Sequence, residues 1–149
     1  MSLKPDTLPF GAPFAIGEAI VQRLQEAFPS PAKVIDNPLR ASGLKDGNRI
    51  IFFEDQSDRF DSQPGRSAKR IYAFQIGVIN RTEQPRQGAH ADYRAVKRVI
   101  RDCMPNIGQL VQLEGRGVVE GDVIYRLENI DVGGSLVLGT FTVDYRDPA

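Results

Sequence analysis

The run from Lys69 to Asp147 most constrains the fold, because a long extended segment, an amphipathic helix and a final pair of strands follow one another there. In the extended segment, Arg70 to Arg81, apolar side chains alternate between two faces, as a strand requires. One face carries Tyr72, Phe74, Ile76 and Val78. A strand of this length belongs in the middle of a sheet, so the sequence predicts a sheet that carries at least one helix.

The helix in this run has two chemically distinct sides. One side is apolar and comprises Tyr93, Val96, Val99, Ile100, Cys103 and Met104. The opposite side is basic and comprises Arg94, Lys97, Arg98 and Arg101. Asp92 is suited to cap the helix and Pro105 to end it.

A second helix is predicted near the N-terminus, where apolar residues recur every four positions. They are Ile16, Ile20, Leu24 and Phe28. Proline is tolerated in a first turn but cannot extend a last one, so the prolines at 13 and 29 bound this helix at about Pro13 to Phe28. Residues 1–12 form an irregular lead.

The remaining apolar segments predict strands. They are Lys33 to Asp36, Arg49 to Phe53, Gln109 to Leu113, Gly117 to Val119, Val123 to Ile130 and Leu136 to Tyr145. Gly133-Gly134 predicts a tight connection and Gly139 a bulge. The tract from Asp55 to Ser67 is polar and aperiodic, which predicts a long hairpin loop. Such a loop would project from one end of the sheet and contact a partner.

Together these elements predict an α+β fold, a mainly antiparallel (mixed) sheet with two main helices packed on it. A chain of 149 residues fits a single domain, 1–149. The 19 basic and 19 acidic residues balance, so any charged partner must meet a local patch. The single cysteine excludes an intrachain disulfide, and the first ten residues lack a signal-peptide core, so synthesis in the cytoplasm is expected.

Catalytic and cofactor motifs are weak throughout. The run from Gly115 to Glu120 half resembles a dinucleotide fingerprint, but it lacks the third glycine and strand signals follow it, so no cofactor is predicted. Cys103 lies on the apolar stripe of its helix and His90 is placed in the loop before it, which favours a buried thiol and a solvated histidine over a catalytic pair. The acids at 54, 55, 58 and 61 do not have EF-hand spacing, so a solvated or partner-facing loop is preferred to a metal site.

The basic helix face has three readings: a solvated surface, ion pairs with a neighbouring subunit, or a phosphate contact. No aromatic side chain is interleaved with the four cations, so sequence-specific or single-strand nucleic-acid binding is not predicted.

The order of elements resembles the tail terminator, or tail completion, proteins of long-tailed bacteriophages and prophages, of the lambda minor tail protein U type. The resemblance covers about Ala15 to Asp147. Its residues are the helix segments Ile16 to Leu24 and Tyr93 to Ile100, the strand Tyr72 to Arg81 and the ending Gly139 to Arg146.

The resemblance implies a non-enzymatic subunit that forms a ring, expected to be a hexamer. The ring would cap the tail tube, end its polymerisation and prepare head joining. The implied partners are the chain itself, a tail tube protein and a head-completion or neck protein, with no membrane. The implied locations are the bacterial host cytoplasm during assembly and then a virion or prophage-derived tail.

A ring needs an interface between two different surfaces of the subunit, and opposite charges can set its register. The candidate interface residues are Asp55, Asp58, Arg59, Asp61, Arg66, Arg94, Lys97, Arg98 and Arg101. The hypothesis pairs Asp58 or Asp61 of one subunit with the helix arginines of the next. Two alternatives stay open: another neck or minor tail component of similar fold, and a small enzyme or ligand-binding domain.

Overall fold

A computed structural model describes residues 8–38, 47–60, 68–127 and 133–147. The elements in chain order are α1 (Ala12–Ala27), β1 (Lys33–Asp36), β2 (Arg49–Phe60), β3 (Ala68–Asn80), α2 (Pro85–Leu110), β4 (Gln112–Leu127) and β5 (Ser135–Asp147). The strands form one sheet in the order β1-β2-β3-β5-β4. β1 runs parallel to β2 and every other neighbouring pair is antiparallel, so the predicted α+β fold with a mixed sheet is confirmed.

Both helices pack on one face of this sheet. α1 lies over β1 and β2, and α2 lies over β3, β4 and β5, with the two helices also in contact. The predicted face of β3 points into this core, where Tyr72, Phe74, Ile76 and Val78 are buried. A smaller cluster of Ile50, Phe52 and Ile79 lies on the opposite face of the sheet. The predictions for α1, β1 and β3 agree with the structure to within two residues at each end.

The predicted loop from Asp55 to Ser67 is wrong in its first half, because β2 continues to Phe60. The register between β2 and β3 shifts between Asp55 and Ser57, which is a β-bulge. One extra residue moves every later side chain to the other face, so the alternation expected of a strand is lost from the sequence. Residues 61–67 lie outside the described residues.

The predicted ends of α2 are also wrong. The helix begins at Pro85, whose missing N–H costs nothing in a first turn, and His90 lies inside the helix. Asp92 is therefore a helix residue and not a cap, and its side chain is buried against Arg49. Pro105 lies within the helix on its exposed side, where water can solvate the carbonyl that proline leaves unbonded.

The segments predicted as separate strands between Gln109 and Ile130 belong mainly to β4, although residues 109 and 110 end α2 and 128–130 lie outside the described residues. β4 has two register shifts, and the first contains Gly115 and Gly117 with φ of 63° and 75°. The bulge predicted at Gly139 lies opposite it, between Glu120 and Val123 of β4.

Candidate assembly surfaces

The basic face of α2 is exposed as predicted. Arg94, Lys97, Arg98 and Arg101 all point away from the core. Lys97 Nζ lies 3.8 Å from Glu120 Oε1 on β4, and Arg101 Nε lies 3.8 Å from Asp102 Oδ1. Within the described part of the chain, Arg94 and Arg98 make no ion pair. These two arginines are therefore available to an external anion or carboxylate.

The end of the β2-β3 hairpin carries a hydrogen-bonded polar cluster around Asp58. Arg70 Nε donates to Asp58 Oδ2 at 3.0 Å, and the Tyr145 hydroxyl lies 3.0 Å from both carboxylate oxygens. The hydrogen bond to Asp58 raises the pKa of Arg70. Asp58 is thus already bound inside its own subunit, so its predicted role as a partner of the α2 arginines would require it to share these bonds.

Asp55 forms hydrogen bonds at the same end of the sheet. It accepts a hydrogen bond from the hydroxyl of Tyr72, and its own N–H donates to Asn37 Oδ1 at 2.9 Å. Burial raises the pKa of Tyr72, and the bond to Asp55 raises it further. Among the other predicted interface residues, Arg59 is exposed without an ion pair to a described residue, whereas Asp61 and Arg66 lie outside the described residues. No described hydrogen bond or ion pair joins the hairpin group to the α2 group.

Two further contacts join α2 to β4. The Tyr93 hydroxyl donates to Glu120 Oε2 at 2.7 Å, and the ring of His90 stacks on that of Tyr125 with centroids 5.0 Å apart. Burial raises the pKa of Tyr93, and the bond to Glu120 adds to the rise. Tyr125 is 60% exposed on β4, which is an outer strand of the sheet that the described residues form.

An apolar surface at the start of α1 was not predicted. Phe10 and Phe14 are 75% and 49% exposed, with their rings 5.1 Å apart, and Leu110 at the end of α2 is 45% exposed. They border a depression of about 340 Å³ that also contacts Glu18. The spacing of Phe10 and Phe14 was available in the sequence, but the meeting of the two helix ends was not.

The two residues that were weighed as a catalytic pair, Cys103 and His90, lie far apart. Cys103 is buried and this burial raises the pKa of its thiol. His90 lies thirteen residues earlier on the same helix, about 20 Å away along its axis at the usual rise per residue. Among the described residues, no group of three or more histidine, cysteine or carboxylate side chains is arranged to hold a metal ion. No helix of the described chain is long and apolar enough to cross a membrane.

Neither a protein-family model nor a curated protein matches the chain. Among solved structures, a chain of the virion of a native gene transfer agent particle is similar, with 11% identity and a TM-score of 0.51. The match covers 95% of this chain and 99% of that one. A sheath/tube terminator of the extracellular contractile injection system PVC, in its extended state, gives 10% identity and a TM-score of 0.46 over 98% of this chain and 58% of that one. The likeness to the gene transfer agent chain shows a shared fold over nearly the full length of both.

Proposed function

We propose that this chain is a non-enzymatic structural subunit of a phage-type tail, a terminator that forms a ring on the end of the tail tube. The ring would stop tube polymerisation and prepare head joining. The observation that carries the proposal is the fold shared from end to end with a chain of a gene transfer agent virion. The sequence resemblance to tail terminator proteins supports the position within the tail.

The exposed surfaces fit an assembly subunit better than an enzyme. The described part of the chain presents a basic helix face on which Arg94 and Arg98 make no ion pair, the edge strand β4 and an exposed aromatic surface, three features that serve protein contacts. Its thiol is buried and far from its histidine. Proposed partners are further copies of the chain in a ring, expected to be a hexamer, a tail tube protein and a head-completion or neck protein.

A neck or minor tail component is the second candidate, because the virion likeness supports it equally. The two candidates differ in what they bind first. A terminator binds isolated tail tubes, whereas a neck component binds heads or tubes that are already capped.

The test uses tail tube protein of the same particle, polymerised with and without this chain and imaged by electron microscopy. A terminator shortens the length distribution of the tubes and leaves a ring at one end of each. Tubes of unchanged length without an end ring contradict the terminator function. Binding only to tubes that already carry a terminator, or to heads, identifies a neck component.

A further inference from the structure

The end of β2 carries an aromatic side chain that the subunit itself does not cover. Phe60 is 58% exposed and makes no ring contact with a described residue. It pairs with Arg70 and lies two residues beyond Asp58, so it points to the face of the sheet on which the helices pack. Tyr72 and Tyr145, on that same face, are bonded to the carboxylates of Asp55 and Asp58. Phe60 therefore lies on a strand whose end is tied by side chains to β3 and to β5.

The depression at the start of α1 has the size and chemistry to receive such a ring. Its volume is about 340 Å³, whereas a cavity of about 150 Å³ is enough to bind benzene. Phe10, Phe14 and Leu110 form its apolar border. Aromatic rings gain most when they meet edge to face or offset, an arrangement that Phe10 and Phe14 already adopt with an interplanar angle of 63°.

Charge also distinguishes the two surfaces. Beside Phe14, a second depression is lined by the carboxylates of Glu18, Asp36 and Asp55. Next to Phe60, Arg59 is exposed and makes no ion pair with a described residue, whereas Glu18 lines the depression itself. An arginine beside the ring and a carboxylate in the depression attract each other across the contact.

We propose that Phe60 of one subunit inserts between Phe10, Phe14 and Leu110 of a second copy of this chain. The contact joins two different surfaces, so each subunit has one of each to offer and successive copies follow around a ring. The inference rests on the proposed function in taking the chain to be a self-associating subunit, and it names the contact that holds neighbouring subunits together.

Association is measured by sedimentation equilibrium over a range of concentrations. Phe60→Ser and the double variant Phe10→Ser/Phe14→Ser each raise the dissociation constant about 30-fold, as loss of a central aromatic anchor does. Gln84→Ser shortens an exposed side chain just before α2, outside the surfaces described above, and leaves the constant within about threefold of wild type. Circular dichroism checks that every variant is folded. The inference is overturned if Phe60→Ser associates as tightly as the wild-type chain. It is also overturned if the wild-type chain is monomeric at about 1 mM.

Disulfide trapping tests the contact itself. Phe60→Cys combined with Phe10→Cys gives a ladder of covalent multimers on oxidation, because the two positions meet between subunits. Phe60→Cys combined with Gln84→Cys is the matched control and gives no ladder, and Cys103 is buried in both. Equal ladders in the two variants, or a cross-link confined to single chains, contradict the contact.

The outcome is separable from that of the proposed function. If wild type caps tail tubes but Phe60→Ser associates normally, the contact is wrong and the terminator function stands. If wild type associates through Phe60 but leaves tube length unchanged, the contact stands and the terminator function fails.

Discussion

At the scale of single residues, Arg49, Asp92 and Asn80 tie β2, α2 and β3 together beneath the helix layer. Arg49 donates through Nε and Nη2 to the two oxygens of Asp92 at 3.1 and 2.9 Å, and Asn80 Nδ2 donates at 3.3 Å. Asp92 is only 7% exposed. A buried carboxylate with three donors is stable only while they remain, so this cluster fixes how α2 sits on the sheet.

Asp92→Asn is expected to lower the free energy of unfolding by about 2–3 kcal/mol, because the amide cannot accept from both nitrogens of Arg49. Urea unfolding measures the change. Asp102→Asn is the matched control, since its carboxylate is exposed and 3.8 Å from Arg101, and its effect stays below about 0.5 kcal/mol. Equal effects of the two substitutions would show that the Arg49 cluster adds no stability.

The absence of a side chain at position 139 makes room for Tyr93. A Cβ there would lie 1.9 Å from the Tyr93 hydroxyl oxygen, so Gly139→Ala displaces the ring and its bond to Glu120. We expect a loss of about 1–3 kcal/mol in the free energy of unfolding. Gly108→Ala, in the α2 helix with no atom nearer than 4.0 Å, is expected to gain up to about 1 kcal/mol. A neutral Gly139→Ala in the same urea experiment contradicts the close packing described.

The raised pKa of Tyr72 predicts how the free energy of unfolding changes above pH 10. Its ordinary pKa is 10.0, and burial raises the pKa in the folded chain. Above pH 10 the unfolded chain therefore binds fewer protons than the folded one. The free energy of unfolding then falls as pH rises, by about 1 kcal/mol between pH 10 and pH 11 for this group. Tyr72→Phe reduces that slope by the same amount between pH 10 and pH 11, measured by urea unfolding. Identical slopes in the two proteins would contradict the raised pKa.

At the scale of elements, the helical and strand patterns of apolar residues were enough to predict α1, β1 and β3. Each of these elements keeps one regular pattern of side chains along its whole length. β2 was predicted only as far as Phe53, although the strand continues to Phe60. Beyond the bulge its side chains are polar except for Phe60, and Asp58 is held by partners distant in sequence, Arg70 and Tyr145. Backbone pairing with β3 makes this polar tract a strand, and that pairing is not visible in the tract itself.

The ends of α2 were missed for a related reason. An aspartate before an apolar stripe is typical of a cap, but Asp92 has its partner on β2, forty-three residues away. Pro85 was the local signal of the true start. Of the candidate surface, the basic face of α2 followed from helical periodicity alone. The Phe10, Phe14 and Leu110 border needed the tertiary meeting of two helix ends.

At the scale of the whole molecule, both helices cover one face of the sheet and the contact surfaces lie at different places around it. The chain has no net charge, so a ring of subunits is not opposed by overall repulsion. Local charge then decides which surfaces meet. The proposed Phe60 contact is mainly apolar, whereas the α2 face is charged. Association through the α2 face should therefore weaken as salt is added, and association through Phe60 should not.

Arg98→Glu is predicted to weaken self-association about tenfold if the α2 face meets carboxylates of a neighbouring subunit. Arg86→Glu makes the same charge change in the first turn of the same helix, where a negative charge is tolerated, and serves as the control. Sedimentation at about 0.1 M and 1 M salt adds a second criterion, because screening weakens the α2 contribution but not the burial of Phe60. If Arg98→Glu associates as tightly as the wild-type chain at low salt, the α2 face is a solvated surface and not part of the interface. If only Arg98→Glu weakens self-association, and its difference from the wild-type chain disappears at high salt, the α2 face belongs to the subunit interface.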